Sequence, residues 1–148
     1  MPIPPLTQNG LLPPGVCGCT LGEIRLRFGS FQVSDRRVEL FNSLEQFVTE
    51  LRHSGRFAAV VVDGSFVTAK PEPGDIDIIA ALRMDHDWFA DLGARDYALV
   101  SRSALRRRYR FDVLLATDGG KEYERYVEFF GRVRDDVAVR KGILRIEL

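Results

Sequence analysis

The most informative part of this chain is the stretch 63–77, which reads DGSFVTAKPEPGDID. The hydrophobic run 57–62 precedes it, and a second hydrophobic run follows it. This pattern predicts two strands, over 57–62 and 75–82, joined by a loop that opens with a Gly-Ser turn. Pro71 and Pro73 exclude a long helix in that loop. The turn and the second strand are therefore close neighbours along the chain.

Two aspartates open the second predicted strand. In an extended strand alternate side chains point the same way, so we expect Asp75 and Asp77 to project from one face. Two carboxylates held side by side in a mostly apolar strand repel each other and lose hydration. A divalent cation is the usual reason for such an arrangement, and Mg²⁺ takes one or two carboxylates together with substrate phosphates. Asp63, just before the turn, is interpreted as a turn-forming residue.

A third aspartate lies in a later strand-like run. Asp112 belongs to the run 110–116, which reads RFDVLLA and is predicted to be a strand. Two metal ions about 3.5–4 Å apart can stabilise the attacking and leaving oxygens of an in-line displacement. A pair of ions usually needs a third carboxylate. Asp75, Asp77 and Asp112 are therefore the candidate catalytic and metal-binding residues.

These features together resemble a known signature. Gly64-Ser65, the triplet 75–77 and the later Asp112, in this order, look like the motif of the nucleotidyltransferase superfamily with the DNA polymerase β-like fold. The size resembles that of the minimal nucleotidyltransferases of bacteria and archaea. The resemblance implies a nucleotidyltransferase fold and a transfer reaction that consumes an NTP.

Three further segments carry a narrower resemblance. Residues 9–15, 64–70 and 141–144 read NGLLPPG, GSFVTAK and KGIL. They resemble a bacterial branch of the same superfamily that has no assigned substrate. Because these segments run from one end of the chain to the other, the narrow resemblance covers most of the protein.

The resemblance also implies a role for each motif residue. Gly64 and Ser65 would bind the terminal phosphates of the nucleotide, Asp75 and Asp77 would bind metal, and Asp112 would bind the catalytic ion and activate the acceptor hydroxyl. The physical argument agrees at the turn, because backbone amides entering a helix form an anion site. The implied cofactor is Mg²⁺ or Mn²⁺, and the implied substrate is an NTP, with ATP the expected one.

Two basic residues are further candidates for nucleotide binding. Lys70 lies in the loop between the serine and the aspartates, so it could reach a phosphate. Many members of the superfamily carry a glycine or a basic residue a few positions after the serine, where this chain has TAKPEP over 68–73. If the third strand begins near Arg108, then Arg108 and Arg110 share a face with Asp112, and their guanidinium groups could clamp phosphates. Arg106 and Arg107 would then lie at the rim and could meet RNA or a nucleotide tail. The alternative is a solvated basic edge that blocks strand pairing.

The remaining pattern predicts an α/β protein of the α+β type, with a mixed β-sheet and helices packed mainly on one side. Residues 1–19 are rich in proline and are predicted to form an extended arm, and residues 20–148 a single domain. Four helices and two further short strands are expected at these places: a helix from the Thr20–Glu23 capping box towards Phe28, a helix from Ser34 or Asp35 to Gly55, helices over 85–91 and 122–133, a strand over 97–100, and a final edge strand over 143–148.

Composition limits the class of protein. The chain has 148 residues, 45% of them hydrophobic and 28% charged, as in globular proteins. A formal net charge of zero excludes a nucleic-acid binder that works by bulk charge. No run is long enough to span a bilayer and no secretory signal is recognised, so the expected location is cytoplasmic. Cys17 and Cys19 lack the further ligands of a zinc site and are interpreted as ordinary thiols.

Three functions compete. The first is an Mg²⁺-dependent nucleotidyltransferase whose acceptor is a protein or RNA, as in toxin–antitoxin or defence modules; the chain has no room for a separate substrate-binding domain. The second is a catalytically inactive module of the same fold that docks a partner protein through the arm or the final strand. The third is a metal-dependent hydrolase or phosphotransferase, in which the Gly-Ser turn would have no role. The oligomeric state is open.

Overall fold

The computed structural model describes residues 3–29, 35–71, 73–87, 91–133 and 136–148. Within these ranges the chain forms five α-helices, one 3₁₀ turn and seven strands. In chain order these elements are β1 Gly15–Gly18, α1 Leu21–Arg27, α2 Arg36–Ser54, β2 Phe57–Asp63, the 3₁₀ turn Ser65–Val67, β3 Asp77–Leu82, α3 Ala94–Leu99, α4 Arg102–Tyr109, β4 Asp112–Thr117, α5 Lys121–Phe130, β5 Arg132–Val133, β6 Asp136–Arg140 and β7 Gly142–Glu147.

Five of the strands form one mixed sheet, in the order β1-β7-β2-β3-β4. The outer pairs, β1 with β7 and β3 with β4, are parallel, whereas β2 is antiparallel to both of its neighbours. β5 and β6 pair separately as an antiparallel hairpin. The predicted mixed sheet of the α+β class is therefore confirmed.

The sheet has a hydrophobic core on each face because its central strands are apolar on both sides. In β2, Val60 and Val62 face the larger core, and Ala59 and Val61 face the smaller one. Helices α1 to α4 contribute to the larger core and α5 to the smaller one, through the following buried side chains: Ile24, Leu44, Leu99 and Leu105 on the first face, and Tyr123 and Phe130 on the second. Most of the helices thus lie on one side, as predicted.

The ends of α1 and α2 follow the predicted signals. The Thr20 side chain accepts a hydrogen bond from the Glu23 backbone N–H, and the Glu23 side chain accepts one from the Thr20 backbone, so the capping box is formed. At the end of α2, Gly55 adopts the left-handed conformation with φ 68°, which glycine tolerates best. These local signals depend on few residues and could be interpreted from sequence alone.

The strand predicted over 97–100 is wrong. Residues 94–99 form α3, which buries Leu99 and exposes Tyr97. A four-residue apolar run does not by itself distinguish a short helix from a strand. The helix predicted over 122–133 is confirmed only as far as Phe130, because Arg132–Val133 pairs with β6.

The helix predicted over 85–91 is not formed at residues 85–87. Residues 88–90, including Trp88 and Phe89, lie outside the described residues. Ser34, one of the two predicted caps of α2, also lies outside them, and Asp35 occupies the cap position without a side-chain hydrogen bond.

The final strand is formed, but its predicted place at the edge of the sheet is wrong. β7 lies between β1 and β2, because residues 15–18 of the predicted arm pair with it. Leu12 O accepts a hydrogen bond from the backbone N–H of Gly142, and a Cβ at Gly142 would lie 2.0 Å from Pro13 O. The proline-rich segment therefore packs closely across the start of β7.

The same segment also contacts the Gly-Ser loop. Gly10 O accepts a hydrogen bond from the backbone N–H of Ala69, and a Cβ at Gly10 would lie 2.9 Å from the Ala69 side chain. The segments 9–15, 64–70 and 141–144, which are far apart in sequence, thus meet in the fold. None of the helices in the described ranges has the length and apolar character that crossing a membrane requires.

Candidate active site

Three aspartates lie in a row across neighbouring strands. β2 ends at Asp63, and both β3 and β4 begin at an aspartate. Asp63 is the register partner of Asp77, and Asp77 is the register partner of Asp112. Adjacent strands are about 4.8 Å apart, and directly paired side chains share one face of the sheet. The fold therefore brings Asp77 and Asp112 together, as predicted, and adds Asp63 to them.

The aspartate row forms part of the wall of a cleft of 490 Å³. The cleft lies on the face of the sheet that α5 covers, and the described residues of its wall fall into three chemical groups. They are the acids Asp63, Asp77 and Asp112, the bases Arg102, Arg132 and Lys141, and the apolar residues Leu114, Phe129, Phe130 and Val133. One cavity thus combines carboxylates, cations and an apolar surface.

Lys141 forms an ion pair with Asp63 inside this cleft. Its Nζ donates to both carboxylate oxygens of Asp63, each at 2.9 Å, and the Asp63 residue is only 3% exposed. The Lys141 side chain is 17% exposed, so its ammonium is the partly accessible end of the pair. We did not predict Lys141 as a site residue, although the segment KGIL marked its position in the sequence.

Burial has the largest effect on the acidity of Asp63, and it raises the pKa of this carboxyl to about 6. The charge and hydrogen bond of Lys141 lower the pKa, and the neighbouring charge of Asp77 raises it. The folded protein therefore binds this proton more tightly than the unfolded chain, whose Asp pKa is about 3.9. The contribution of Asp63 to stability is fully present below about pH 4 and is lost as the pH rises through about 6.

We expect the Asp63 carboxyl carbon to titrate near pH 6 in a ¹³C NMR experiment. Asp77→Asn should lower this pKa because a like charge is removed, and Lys141→Met should raise it because the paired cation is lost. A wild-type Asp63 that titrates below pH 4 would contradict this description of the site. An unchanged pKa in both variants would contradict it as well.

Asp112 is the most exposed of the three aspartates in the row. Arg106 Nη1 donates to Asp112 Oδ1 at 3.0 Å, and both side chains are more than half exposed. An ion pair so exposed contributes little to stability. Asp112 is therefore free to exchange this partner for a ligand at small cost. Its position at the mouth of the cleft suits contact with an incoming molecule.

Arg110 does not lie on the same strand as Asp112. The prediction that Arg108 and Arg110 share a strand face with Asp112 is therefore wrong. Residues 102–109 form α4, and Arg110 ends that helix in the left-handed conformation, with φ 62°. Arg108 instead pairs with Glu50 of α2. The basic residue of this region that lines the cleft is Arg102, in the first turn of α4.

Ser65 and Asp75 bond to each other, and neither belongs to the described wall of the cleft. Asp75 Oδ1 accepts from the Ser65 backbone N–H at 2.9 Å and from the Ser65 hydroxyl at 2.6 Å. Burial by itself would raise the pKa of Asp75, but the Ser65 hydrogen bonds and the charges of Lys141 and Lys70 hold it below the usual value. Asp75 also precedes β3 instead of lying on it, because the observed strand begins two residues later than predicted.

Gly64 connects the turn to the aspartate segment. Its φ is 92°, which disfavours any residue with a side chain. A Cβ at this position would also lie 3.0 Å from both Asp75 O and the Asp77 backbone nitrogen. The Gly-Ser turn is therefore packed directly against the segment that begins β3, and only glycine allows this approach.

A buried arginine holds the rest of the loop. Arg37 of α2 is fully buried, and its Nη1 donates to Phe28 O at 3.2 Å and to Phe66 O at 2.6 Å. Its Nη2 donates to Thr68 O at 2.7 Å and to Lys70 O. The backbone of residues 66–70 is thus fixed by one guanidinium, while the Lys70 side chain remains exposed. The described wall of the cleft does not include Lys70.

A comparison with family models gives a match over almost the whole chain. A family model described as "Family of unknown function (DUF6932)" matches residues 4–147. The chain belongs to this family. Comparisons with curated proteins and with solved structures give no match. The DUF6932 match includes the strand β1 and the strand β7, so the proline-rich segment lies within the matched region.

The donor set of this DUF6932 cleft can be tested against the predicted Mg²⁺. Over the part of the chain that the structure describes, no group of three or more Asp, Glu, His or Cys side chains is placed so that it could hold a metal ion. Mg²⁺ does not need one, since it commonly takes one or two carboxylates and completes its shell with water and phosphate oxygens. Asp77 and Asp112, paired in register and lining one cleft, fit that requirement.

Proposed function

We propose that this protein is an Mg²⁺-dependent nucleotidyltransferase that moves a nucleoside monophosphate from an NTP to a hydroxyl of a protein or RNA acceptor. The observation that carries the proposal is the pairing of Asp77 with Asp112 at the start of two parallel strands, in a cleft that also contains cations. The order of the turn and the aspartates in the sequence supports the same reaction class. The acceptor and the biological context, including a toxin–antitoxin or defence role, are part of the proposal.

The charge of the cleft favours a metal–nucleotide complex over either component alone. Among the described residues of its wall, three carboxylates face three cations, so their formal charges cancel. A free triphosphate and a free divalent cation would each meet groups of both signs there and no net attraction. A complex of Mg²⁺ with a triphosphate carries less negative charge than the free triphosphate, and it can place metal against acid and phosphate against base.

The acidic and basic residues of the cleft would have different roles in binding the metal and the triphosphate. Asp77 and Asp112 would hold the ion, which when bound would neutralise the charge of the phosphates and polarise the phosphoryl group. Lys141 can turn a third N–H towards a phosphate oxygen while Asp63 keeps its other two donors in place. Asp63 is a positioning residue in this arrangement. Arg102 and Arg132 would neutralise the rest of the triphosphate.

The transfer itself is an in-line displacement. The acceptor hydroxyl oxygen forms a bond to the α-phosphorus, the bond between the α-phosphorus and the bridging oxygen breaks, and pyrophosphate leaves. Asp112, at the open end of the row, takes the proton of the acceptor hydroxyl. A role for Ser65 in binding phosphate requires that its amide and hydroxyl exchange the Asp75 carboxylate for a phosphate oxygen.

The direct test is calorimetric binding of ATP, CTP, GTP and UTP in the presence of Mg²⁺. We expect binding of at least one NTP by the wild type, and loss of that binding when EDTA removes the metal. Asp77→Asn should abolish the metal-dependent binding, and Asp91→Asn, at an exposed residue outside the described wall of the cleft, should not change it. Absence of NTP binding by the folded wild type would contradict the proposal.

A second candidate is the inactive binding module that docks a partner protein. It is favoured by β1, which lies at the edge of the sheet and has Val16 exposed, so that its backbone offers a place for an added strand. This candidate predicts that Asp77→Asn and Asp112→Asn leave the biological activity intact. The nucleotidyltransferase proposal predicts that both variants lose it.

A further inference from the structure

Phe129 is an exposed aromatic residue at the wall of the cleft. It lies near the end of α5, is 66% exposed, and lines the same cavity as the aspartate row. Leaving a large aromatic ring in water forfeits the free energy that its burial would contribute. The Phe129 ring belongs to neither described core, whereas the neighbouring Phe130 is buried in the smaller one.

The wall of the cleft contains both charged and apolar side chains. Its charged residues are Asp63, Asp77, Asp112 and the three cations, and its apolar residues are Leu114, Phe129, Phe130 and Val133. A nucleoside triphosphate also combines the two characters, with a charged triphosphate at one end and a flat, weakly polar base at the other. The rings of Phe129 and Phe130 lie 6.3 Å apart with their planes tilted by 48°, so Phe130 does not cover the exposed ring by stacking on it.

We infer that Phe129 is the stacking surface for the base of the nucleotide. The inference rests on the proposed function and adds to it the part of the substrate that the aspartates do not touch. The triphosphate lies against the aspartates and the cations, and the base lies on the Phe129 ring. Phe129 contacts the base and takes no part in the transfer of the phosphoryl group.

The same geometry indicates which bases are preferred. Stacking depends on ring area, so a purine gains more from one phenyl ring than a pyrimidine does. The apolar residues in the described wall are Leu, Phe, Phe and Val, whose side chains offer no hydrogen bond to the edge of a base. We therefore expect ATP and GTP to bind with similar affinity, and both to bind more tightly than CTP and UTP.

The experiment compares nucleotides with a probe that has no base. Calorimetry with Mg²⁺ measures the affinity of ATP, GTP, CTP and inorganic tripolyphosphate for the wild type, Phe129→Ala and Phe129→Trp. We expect Phe129→Ala to weaken ATP binding about tenfold, as for the loss of one aromatic stacking partner, and to leave tripolyphosphate binding unchanged. Phe129→Trp should restore or strengthen ATP binding. Tyr97→Ala removes an aromatic ring that is 63% exposed on α3, outside the described wall of the cleft, and serves as the matched control.

Each other outcome overturns the inference in a recognisable way. ATP binding that is unchanged in Phe129→Ala would reject the stacking role while leaving the proposed function in place. Equal weakening of ATP and tripolyphosphate would show that Phe129 acts on the phosphate end or on the fold. If the wild type binds tripolyphosphate at least as tightly as every NTP, the base contributes nothing to affinity and the base site is absent. If the wild type binds neither, the proposed function fails, and the inference fails with it.

Discussion

Asp77→Asn is expected to reduce nucleotidyl transfer by at least about 100-fold, since one of the two carboxylates that would hold the metal is lost. Asp112→Asn should have an effect of the same size, because it removes both the second carboxylate and the group that takes the acceptor proton. The measurement is the rate of pyrophosphate release with saturating NTP and an acceptor. Asn keeps the size of the side chain and removes only its charge, so the loss can be assigned to chemistry.

Thermal unfolding of the same variants separates function from stability. The charge of Asp77 raises the pKa of the buried Asp63, so its removal relieves a repulsion in the folded protein. We expect the Tm of Asp77→Asn to equal or exceed that of the wild type in the absence of nucleotide. Full transfer activity in Asp77→Asn would contradict the role of this residue. A strongly lowered Tm would show that the carboxylate serves the fold.

Arg37→Met is expected to destabilise the protein by about 3–5 kcal/mol, since several carbonyl oxygens would lose their hydrogen-bond donor and each unsatisfied buried oxygen costs about 1–3 kcal/mol. Methionine keeps the apolar stem but leaves the carbonyl oxygens of Phe28, Phe66 and Thr68 without the guanidinium donor. The loop that follows the Gly-Ser turn would lose its main attachment to α2. Urea unfolding followed by circular dichroism measures the change in the free energy of unfolding.

Arg36→Met provides the control for this prediction. Arg36 is the neighbouring residue in α2, is exposed, and donates to Pro73 O at 3.1 Å and to Gly74 O at 2.8 Å. We expect a loss of about 1 kcal/mol or less, since water can replace the exposed guanidinium. Equal destabilisation by both substitutions would contradict the claim that burial of Arg37 is what makes it important.

The parts of the site that could be predicted from the sequence are those set by local patterns. Hydrophobic runs and the glycine and proline residues that bound them predict three elements: the turn at Gly64, the strand that contains Asp77 and the strand that contains Asp112. The register that pairs Asp77 with Asp112 could not be predicted, because the predicted strands began at residues 75 and 110 and the sequence does not state that they are neighbours. The capping box at Thr20 is equally local.

The parts that could not be predicted depend on contacts between distant residues. The Lys141–Asp63 ion pair joins positions 78 residues apart, and neither residue alone indicates the other. The hydrogen bonds of Ser65 to Asp75 depend on how the intervening loop folds back, which the arginine at 37 helps to fix. Hydrophobic periodicity contains no information on such contacts, because it reports only which face of an element is buried.

The place of the final strand shows the same limit. Alternation of apolar and charged residues over 143–148 is typical of a strand with one solvent-exposed face. The prediction places this strand at the edge of the sheet. Arg145 instead donates to Asp118 and to the Tyr123 hydroxyl, so its charge is paired on one face of an interior strand. A short strand from the N-terminal segment supplies the edge. The sequence pattern describes the faces of a strand and not its neighbours.

The central claim is that this cleft transfers a nucleotidyl group, and one labelling experiment tests it most directly. The protein is incubated with Mg²⁺ and lysate, as a source of protein and RNA acceptors, and with ATP labelled at either the α- or the γ-phosphate. The proposed reaction predicts macromolecule-bound label from α-labelled ATP, labelled pyrophosphate from γ-labelled ATP, and neither product with Asp77→Asn. Transfer of label from the γ-phosphate alone would indicate a phosphotransferase, and no Asp77-dependent product from either nucleotide would contradict catalysis at this site.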